Sequence, residues 1–357
     1  MKTLFYGHDF GNSETDGVML GQGQNIIRSM PTAEAVAPSE KRAKNLGVSY
    51  GNSVLFRMFP ENTTYIIGEG ALTQGKGATS QRGNISRYSS VQSVRAMLAN
   101  SAMMTHEKVY RLHVVTGIPV ETYAEDSGIR NKIADAMSGP YTFVINGNDE
   151  RTVEVKIERV IAEGAGAIIS YGTGEKVLQG VIDCGGRTLD LYVSRGQTPQ
   201  IQQCKSFVLG VETALDLLKQ QYLKQYNATL STADARAIMF ACISAGQVAF
   251  PTLAVRGKEV PSSEQFRMAS EAIKVVGEQV AATVASAWSE GETTDQVATS
   301  FKNIFFIGRG AMYFMAHVQR VLATEQLKKV TSPGSANAYG YASLARSFAL
   351  RNLSAAS

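Results

Sequence analysis

The segment VIDCGGRTLDLYV, residues 181–193, has the residue types that bind a phosphate and a metal ion. Its apolar start predicts a strand that ends at Asp183. The turn after that strand consists of five residues: Cys184, Gly185, Gly186, Arg187 and Thr188. Glycines let backbone N–H groups approach an anion closely, and an Asp at such a tip can hold Mg²⁺, usually through water. A plain hairpin whose tip needs glycine for positive φ explains the segment equally well, so both interpretations stay open here.

A second segment, FYGHDFGNSETDG at residues 5–17, repeats this design near the start of the chain. An apolar strand leads to Asp9, and Gly11, Asn12 and Ser13 follow at the turn. The Asn and Ser side chains add donors to those of the backbone. The alternative is an Asx-type turn capped by Asp9. Two such hairpins in one chain indicate two loops that hold one phosphate chain from opposite sides.

A third glycine motif, FFIGRGAMYF at residues 305–314, joins a buried strand to a helix. The chain passes through Gly308 and Gly310, and the N-terminal N–H groups and dipole of the helix would face a nucleotide. Tyr313 stands where a dinucleotide fingerprint has its third glycine, which makes a Rossmann site the weaker prediction. The alternative is a close strand-to-helix turn without a ligand.

The periodicity of the rest of the chain predicts the elements that position these motifs. Apolar residues at helical spacing predict a helix at about 89–104, and apolar runs predict strands at 109–116 and 303–307. Alternation predicts a strand over 153–157, whereas five glycines predict an exposed loop from 68 to 83. Each half has a glycine-tipped hairpin followed by strands and helices. The simplest architecture is two α/β domains with a cleft between them.

Composition excludes several classes of protein. The 357 residues favour two domains, and 44% hydrophobic with 18% charged residues excludes a disordered chain. The net charge of +4 is spread along the sequence, so we expect no direct binding to nucleic acid. Three widely spaced cysteines favour a reducing compartment. The polar N-terminus and the short apolar runs predict a soluble, cytoplasmic protein without membrane contact.

The order of the three glycine motifs resembles that of the actin and sugar-kinase superfamily. The two hairpins resemble its phosphate-1 and phosphate-2 motifs, and the third segment resembles its adenosine motif. VVTGIPVETY at 114–123 and SANAYGYASLARSF at 335–348 are similar to its two connecting segments, and YIIGEGALTQGKG at 65–77 resembles the N-terminal half of the bacterial group. The resemblance to this superfamily extends over nearly the whole chain. Within the superfamily the chain is identified as resembling ParM/Alp-type plasmid-segregation actins.

This resemblance implies an actin-like α/β fold, with two α/β domains, an interdomain nucleotide cleft and a smaller subdomain inserted in each domain. Domain I would comprise residues 1–170 plus 335–357, with an insertion at about 30–88. Domain II would comprise residues 171–334, with an insertion at about 215–265.

The resemblance also implies roles for individual residues. Asp9 and Asp183 would face Mg²⁺ and the phosphates, with the metal held through water. Glu163, in VIAEGAGAII, matches by order the acid that polarises the attacking water, and these three are the implied catalytic residues. The alternative for Glu163 is a solvated residue at the start of a helix. The implied nucleotide contacts are Gly11, Asn12, Ser13, Gly185, Gly186, Arg187, Thr188, Gly308, Gly310, Ala311 and Met312.

Three departures from the family pattern concern charge. Relatives often carry a Lys shortly after the first phosphate turn, but here residues 14–17 read Glu-Thr-Asp-Gly. Arg187 replaces a small residue in the phosphate-2 motif, and one hypothesis is that it supplies the missing positive charge. Arg309 intrudes in the adenosine turn, where it either stacks on the base or is simply exposed.

The implied function is an ATPase that binds and hydrolyses ATP and polymerises head to tail into dynamic filaments for plasmid or other DNA segregation. A DNA-binding adaptor protein would be its second partner, and GTP stays open beside ATP. The main alternative is a small-molecule kinase, or another non-filament phosphotransferase, on the same fold. A chaperone-type ATPase and a non-hydrolysing scaffold are less favoured, the latter because Asp9, Glu163 and Asp183 are all present.

Overall fold

The structure is a computed structural model of the 357-residue chain. It describes nine ranges: 1–11, 14–21, 25–37, 52–74, 76–79, 85–125, 127–290, 297–323 and 325–355. Of the predicted site residues, Asn12 and Ser13 lie outside the described residues.

Strands and helices alternate along the chain. The strands are β1 (Lys2–Phe10), β2 (Glu14–Leu20), β3 (Ile26–Pro31), β4 (Glu34–Val36), β5 (Ser53–Met58), β6 (Tyr65–Gly68), β7 (Lys76–Thr79), β8 (Val109–Ile118), β9 (Gly139–Ile145), β10 (Asp149–Ala162), β11 (Leu178–Cys184), β12 (Leu189–Arg195), β13 (Thr198–Pro199), β14 (Lys205–Phe207), β15 (Ala254–Val255), β16 (Lys258–Glu259), β17 (Asn303–Ile307) and β18 (Leu327–Lys328). The helices are α1 (Glu69–Gln74), α2 (Val91–Ala102), α3 (Val120–Glu125), α4 (Ser127–Met137), α5 (Ala165–Tyr171), α6 (Val211–Tyr226), α7 (Thr232–Ile243), α8 (Ser262–Ala287), α9 (Gly310–Val318) and α10 (Ala336–Ala355).

The chain divides into two compact units. Unit one comprises Met1–Lys176, Tyr192–Cys204 and Gly334–Ser357, and unit two comprises Val177–Leu191 and Lys205–Pro333. The domain limits near residues 170 and 335 stay a prediction, because compactness alone does not fix where a domain begins.

Unit one is built on a sheet of ten described strands in the order β3-β2-β1-β8-β10-β9-β5-β6-β4-β7. The neighbours β1, β8 and β10 are parallel to one another, and the remaining described pairs are antiparallel. One face of the sheet packs against α2 and α4 through buried aliphatic and aromatic side chains, among them Tyr6, Leu112 and Val114. The alternate residues of the same strands point to the opposite face, where α10 lies.

Helix α10 lies very close to the sheet because small residues meet there. A Cβ on Gly7 would lie 1.8 Å from the carbonyl oxygen of Ala338, so only glycine fits this position of β1. Helix α5 meets α10 in the same way, since a Cβ on Gly340 would lie 2.0 Å from the carbonyl oxygen of Gly166. Backbone contact of this kind fixes α5, and therefore the segment that precedes it, against α10.

The predicted elements are confirmed except in one segment. The strands at 109–116 and 303–307, the alternating strand at 153–157 and the helix at about 89–104 correspond to β8, β17, β10 and α2. The prediction of an exposed loop from Gly68 to Gly83 was wrong for the described residues, because they form α1 and β7, whereas residues 75 and 80–83 lie outside the described ranges. Ala71 in α1 is fully buried, which indicates that apolar packing outweighs the low helix propensity of Gly70.

Unit two contains a smaller sheet and four helices in its described residues. The strand order is β12-β11-β17-β18, with β14 beside the first residues of β12. Strands β11, β17 and β18 are parallel, and α9 follows directly from β17. In α8, ten residues are buried, and Trp288 just after the helix is also buried. None of the described helices is long and apolar enough to cross a membrane.

Candidate functional site

Three parallel strands of unit one end at the same edge of its sheet. Strands β1, β8 and β10 are neighbours, and their carboxyl ends lie at Phe10, Ile118 and Ala162. The N–H of Glu163 continues the pairing by donating to the carbonyl of Ile118 at 2.8 Å. The fold therefore brings Asp9 and Glu163 to one sheet edge, the position at which open α/β sheets bind ligands.

The first turn is closed tightly around its glycine. Asp9 pairs with Asp16 across the β1–β2 hairpin, and the hydroxyl of Thr15 donates to the carbonyl of Asp9 at 3.0 Å. A Cβ on Gly11 would lie 2.2 Å from the carbonyl oxygen of Glu14, so the turn requires glycine at its first position. The predicted role of Gly11 as a backbone contact to phosphate stays a prediction.

A buried layer of polar side chains lies behind this turn. His8 is fully buried, with its Nδ1 2.9 Å from the hydroxyl of Tyr6 and its Nε2 3.0 Å from that of Thr15. Burial lowers the pKa of His8 to about 3, so its ring is neutral. Burial also raises the pKa of Asp16 to about 7, against a hydrogen bond from Ser29 and with a further contribution from the charge of Asp9.

Glu163 is held in place by backbone and side-chain contacts. It is 9% exposed, so the alternative of a solvated residue at a helix start was wrong. Gly164, with φ of +87°, reverses the chain between β10 and α5, and its N–H donates to Oδ1 of Asn337 in α10 at 3.1 Å. The hydroxyl of Tyr88 donates to Oε1 of Glu163 at 3.4 Å. A buried carboxylate fixed by such contacts is a good candidate for orienting a water molecule.

In unit two the second carboxylate lies beside the third glycine motif. Asp183 near the end of β11 pairs with Ile307 of the parallel strand β17. Gly308 follows with φ of +74°, and a Cβ there would lie 2.7 Å from Oδ1 of Asp183 and 2.4 Å from the carbonyl oxygen of Cys184. The phosphate-2 and adenosine motifs are thus in direct contact within this unit, and Gly308 allows that contact.

Cys184 packs under the same turn. A Cβ on Gly310 would lie 2.2 Å from its Sγ, so the first residue of α9 also requires glycine. Burial, with the charges of Asp183 and Asp190, raises the pKa of the Cys184 thiol. The thiol therefore remains protonated and serves as a small apolar filler.

The turn after Asp183 is held by the start of a helix. The N–H of Gly185 donates to the carbonyl of Thr188 at 2.9 Å. The carbonyls of Gly185 and Gly186 accept the N–H groups of Val211 and Glu212, the first residues of α6, at 3.1 and 2.6 Å. These contacts fix the turn and occupy its carbonyl oxygens and the N–H of Gly185, so the backbone N–H of Gly186 is the one suited to an anion.

Two arginines flank the motifs of unit two. Nε of Arg187 lies 3.8 Å from Oε2 of Glu212. The two residues are far apart in the sequence, so this pairing depends on the fold. Arg309 is partly buried rather than simply exposed, and burial lowers its pKa. Beside it in α9, Ala311 is buried and Met312 is half exposed.

The glycine turns offer single carboxylates to a divalent metal ion. Within the described ranges, no group of three or more His, Cys, Asp or Glu side chains could ligate a metal ion. Asp9 and Asp183 each stand at the end of a strand beside a glycine turn. Either carboxylate, taken by itself, fits Mg²⁺, which keeps several waters and binds to proteins through one or two carboxylates together with substrate phosphates.

The fold is that of actin-like proteins. Ta0583, an archaeal actin homologue, has a TM-score of 0.74 and 18% identity over 97% of this chain and 100% of that chain. Its complex with ADP has a TM-score of 0.69, 18% identity and the same coverage. A 15-stranded ParM filament from Clostridium botulinum has a TM-score of 0.74 and 16% identity over 97% of this chain and 100% of that chain.

The N-terminal part also carries a family signature. Residues 7–166 match the family model described as actin like proteins N terminal domain. Residues 7–166 therefore resemble the N-terminal domain of actin-like proteins, the chain has the actin-like fold, and its predicted resemblance to the ParM/Alp type is confirmed. No curated protein sequence matches it.

Proposed function

We propose that this actin-like protein binds ATP with Mg²⁺, hydrolyses the nucleotide and polymerises head to tail into dynamic filaments. The observation that carries the proposal is the repeated placement of a carboxylate beside a glycine turn at a strand end, Asp9 in unit one and Asp183 in unit two. The ADP complex of Ta0583 supports nucleotide binding, and the ParM filament supports self-association.

The proposed ligands of ATP follow from the two turns. Backbone N–H groups of Gly11 and Gly186 bind phosphate oxygens, Gly185 lets the phosphate approach the turn closely, and Asn12, Ser13 and Thr188 add side-chain donors. The turn from Gly308 to Met312 contacts the adenosine. Mg²⁺, when bound, neutralises charge on the β- and γ-phosphates, and Asp9 and Asp183 hold its water ligands.

Glu163 is the proposed residue for hydrolysis. Its carboxylate lies at the sheet edge next to the Asp9 turn and is fixed by contacts from Tyr88 and by the backbone of Gly164. It orients a water in line with the γ-phosphate and accepts a hydrogen bond from that water. Loss of the γ-phosphate then weakens the contact between subunits.

Segregation of plasmid or other DNA is the proposed task of the filament, in the cytoplasm. The net charge of +4 on 357 residues does not favour direct binding to DNA, so a DNA-binding adaptor would connect the filament to its cargo. A head-to-tail contact repeats without closing, which produces a polymer rather than a ring.

Sedimentation with nucleotide tests this function. The full chain is centrifuged with ATP, GTP or ADP, with and without Mg²⁺, and phosphate is measured in the supernatant. We expect pelleting and phosphate release above a threshold protein concentration with a nucleoside triphosphate and Mg²⁺. Phosphate release without pelleting at any concentration favours the small-molecule kinase, and pelleting that ignores nucleotide favours a non-hydrolysing scaffold.

A further inference from the structure

A short 3₁₀ helix, Ile85–Ser89, places two side chains between the first turn and Glu163. Tyr88 is 2% exposed, and its ring packs edge-on against Phe10 with the centroids 6.0 Å apart. Its hydroxyl donates to Oε1 of Glu163 at 3.4 Å. Because catalytic hydrogen bonds are often long in structures without substrate, this distance is compatible with a contact that tightens when nucleotide binds.

Arg87 extends this contact to the backbone of the turn. Its Nη2 donates to the Tyr88 hydroxyl at 2.5 Å and to the carbonyl of Phe10, next to Gly11, at 3.2 Å. The guanidinium also lies 4.4 Å from the centroid of the Tyr88 ring. The Arg87 residue is 8% exposed, so this charge–hydroxyl contact is sheltered from water.

The backbone of the 3₁₀ helix is itself fixed. The carbonyl of Arg87 accepts the hydroxyl of Ser93 at 2.5 Å and the N–H of Ser90 at 3.1 Å, both at the start of α2. The two side chains therefore project from a rigid support and not from a free loop end.

We propose that Tyr88 and Arg87 are positioning residues for Glu163, which tie its carboxylate to the backbone of the first phosphate turn. The inference rests on the proposed function, in which Glu163 orients the attacking water. A hydroxyl that accepts from a guanidinium is a stronger donor, so Arg87 strengthens the bond from Tyr88 to the carboxylate. Fixing one carboxylate oxygen sets the plane of the group and hence the direction in which the other oxygen faces.

The test is Tyr88→Phe in the full chain, assayed for phosphate release above the assembly threshold. Loss of one hydrogen bond to a charged group predicts a kcat lower by about tenfold, with KM for ATP within about twofold. The acid limb of the kcat–pH profile moves to higher pH, because the carboxylate loses a bond that favours its charged form. A merely structural role for the hydroxyl would not move that limb.

Tyr110→Phe is the matched control. Tyr110 is also fully buried in unit one, on β8, and the side chain next to its hydroxyl is that of Ser101 rather than that of Glu163. We expect wild-type kcat and an unchanged pH profile for this variant. Should Tyr88→Phe not fold, Arg87→Lys replaces it, since lysine keeps the charge and loses the planar fork; the same fall in kcat at constant KM is expected.

Glu163→Gln separates failure of this inference from failure of the proposed function. If Glu163→Gln hydrolyses ATP at the wild-type rate, the proposed catalytic role of Glu163 is wrong, and the positioning role falls with it. If Glu163→Gln is inactive while Tyr88→Phe keeps wild-type kcat and pH profile, the positioning proposal alone is overturned.

Discussion

The hairpin of Asp9 and the hairpin of Asp183 share a pattern of acids and differ in what supports them. In each, a second aspartate follows seven residues later on the return strand: Asp16 after Asp9, and Asp190 after Asp183. Both of these second aspartates are buried. The pattern is thus a carboxylate at the turn with a second carboxyl group behind it.

A serine of the next antiparallel strand contacts each buried aspartate. Ser29 of β3 pairs with Asp16, and Ser206 of β14 pairs with Asp190. In both cases the serine hydroxyl donates to the aspartate side chain. The repeated pattern therefore extends across three strands in each unit.

The supports differ in kind. The second turn is held from outside by the first N–H groups of α6, which bind the carbonyls of Gly185 and Gly186. The first turn is backed from inside by the neutral His8 and by Asp16. The support of the first turn therefore depends on the protonation states of His8 and Asp16. The support of the second turn depends on glycines, whose lack of side chains lets the backbone of the turn approach α6. We expect pH to affect the first support, and added side-chain bulk to affect the second.

The largest expected effect is a pH-dependent difference in stability between the wild type and Asp16→Asn. Folding raises the pKa of Asp16 from 3.8 to about 7, so the folded state binds more protons between these values and loses stability as pH rises through them. Folding lowers the pKa of His8 from 6.5 to about 3, so its contribution rises with pH over that window. In the wild type, the pH dependence of stability that comes from Asp16 opposes the one that comes from His8. Asp16→Asn removes the contribution of Asp16.

Thermal unfolding of both proteins from pH 4 to pH 8 measures this difference in stability. The Tm of Asp16→Asn relative to the wild type should rise from about pH 4 to about pH 7 and level off above. The corresponding difference in the free energy of unfolding has a limiting slope of about 1.4 kcal/mol per pH unit. If the Tm difference between Asp16→Asn and the wild type is constant with pH, the pKa of Asp16 is not raised by folding. That result would contradict a support of the first turn that depends on protonation.

A smaller effect is expected from Gly210→Ala, which disturbs the support of the second turn. A Cβ on Gly210 would lie 2.6 Å from the backbone oxygen of Gly186, so the turn and α6 must separate. We expect a loss of about 1–3 kcal/mol in the free energy of unfolding, measured by denaturant titration. Gly185→Ala is the control for stability, because its nearest contact would be an ordinary 3.7 Å. Equal losses in the two variants would contradict the helix support.

The smallest effect on stability is expected from Arg187→Ala. The Arg187 side chain is 39% exposed and 3.8 Å from Glu212, so the ion pair contributes less than about 1 kcal/mol. If Arg187 supplies the charge missing from the first turn, ATP affinity falls by about tenfold, because a charge-assisted contact to phosphate is lost. Equilibrium dialysis with ATP and Mg²⁺ measures this, with the exposed Arg195→Ala as control, and full affinity in Arg187→Ala refutes the hypothesis.

Much of the fold was predictable because the signals were local. Alternating apolar residues around Gly185 and Gly186 predicted β11 and β12, and NIFFI predicted β17 at its observed bounds. Helix α1 was missed because Gly70 has low intrinsic helix propensity and further glycines flank the helix, and only the burial of Ala71 against neighbouring strands explains it.

The candidate site was predictable only where its residues are adjacent in sequence. The turns after Asp9 and Asp183 were found from a carboxylate and nearby glycines. The contact of Tyr88 with Glu163 joins residues 75 positions apart, and no local pattern signals it. The Ser29–Asp16 pair likewise depends on the register of two strands, which periodicity alone does not specify.

Light scattering tests the central proposal most directly, with wild type and Glu163→Gln compared in ATP and Mg²⁺ and phosphate release followed in the same cuvette. For the wild type we expect scattering to rise above a threshold protein concentration and to decay as ATP is consumed. For Glu163→Gln we expect the same rise without decay, with phosphate release slower by about a hundredfold. Phosphate release by the wild type with no change in scattering, or decay of Glu163→Gln at the wild-type rate, would contradict a filament controlled by hydrolysis at Glu163.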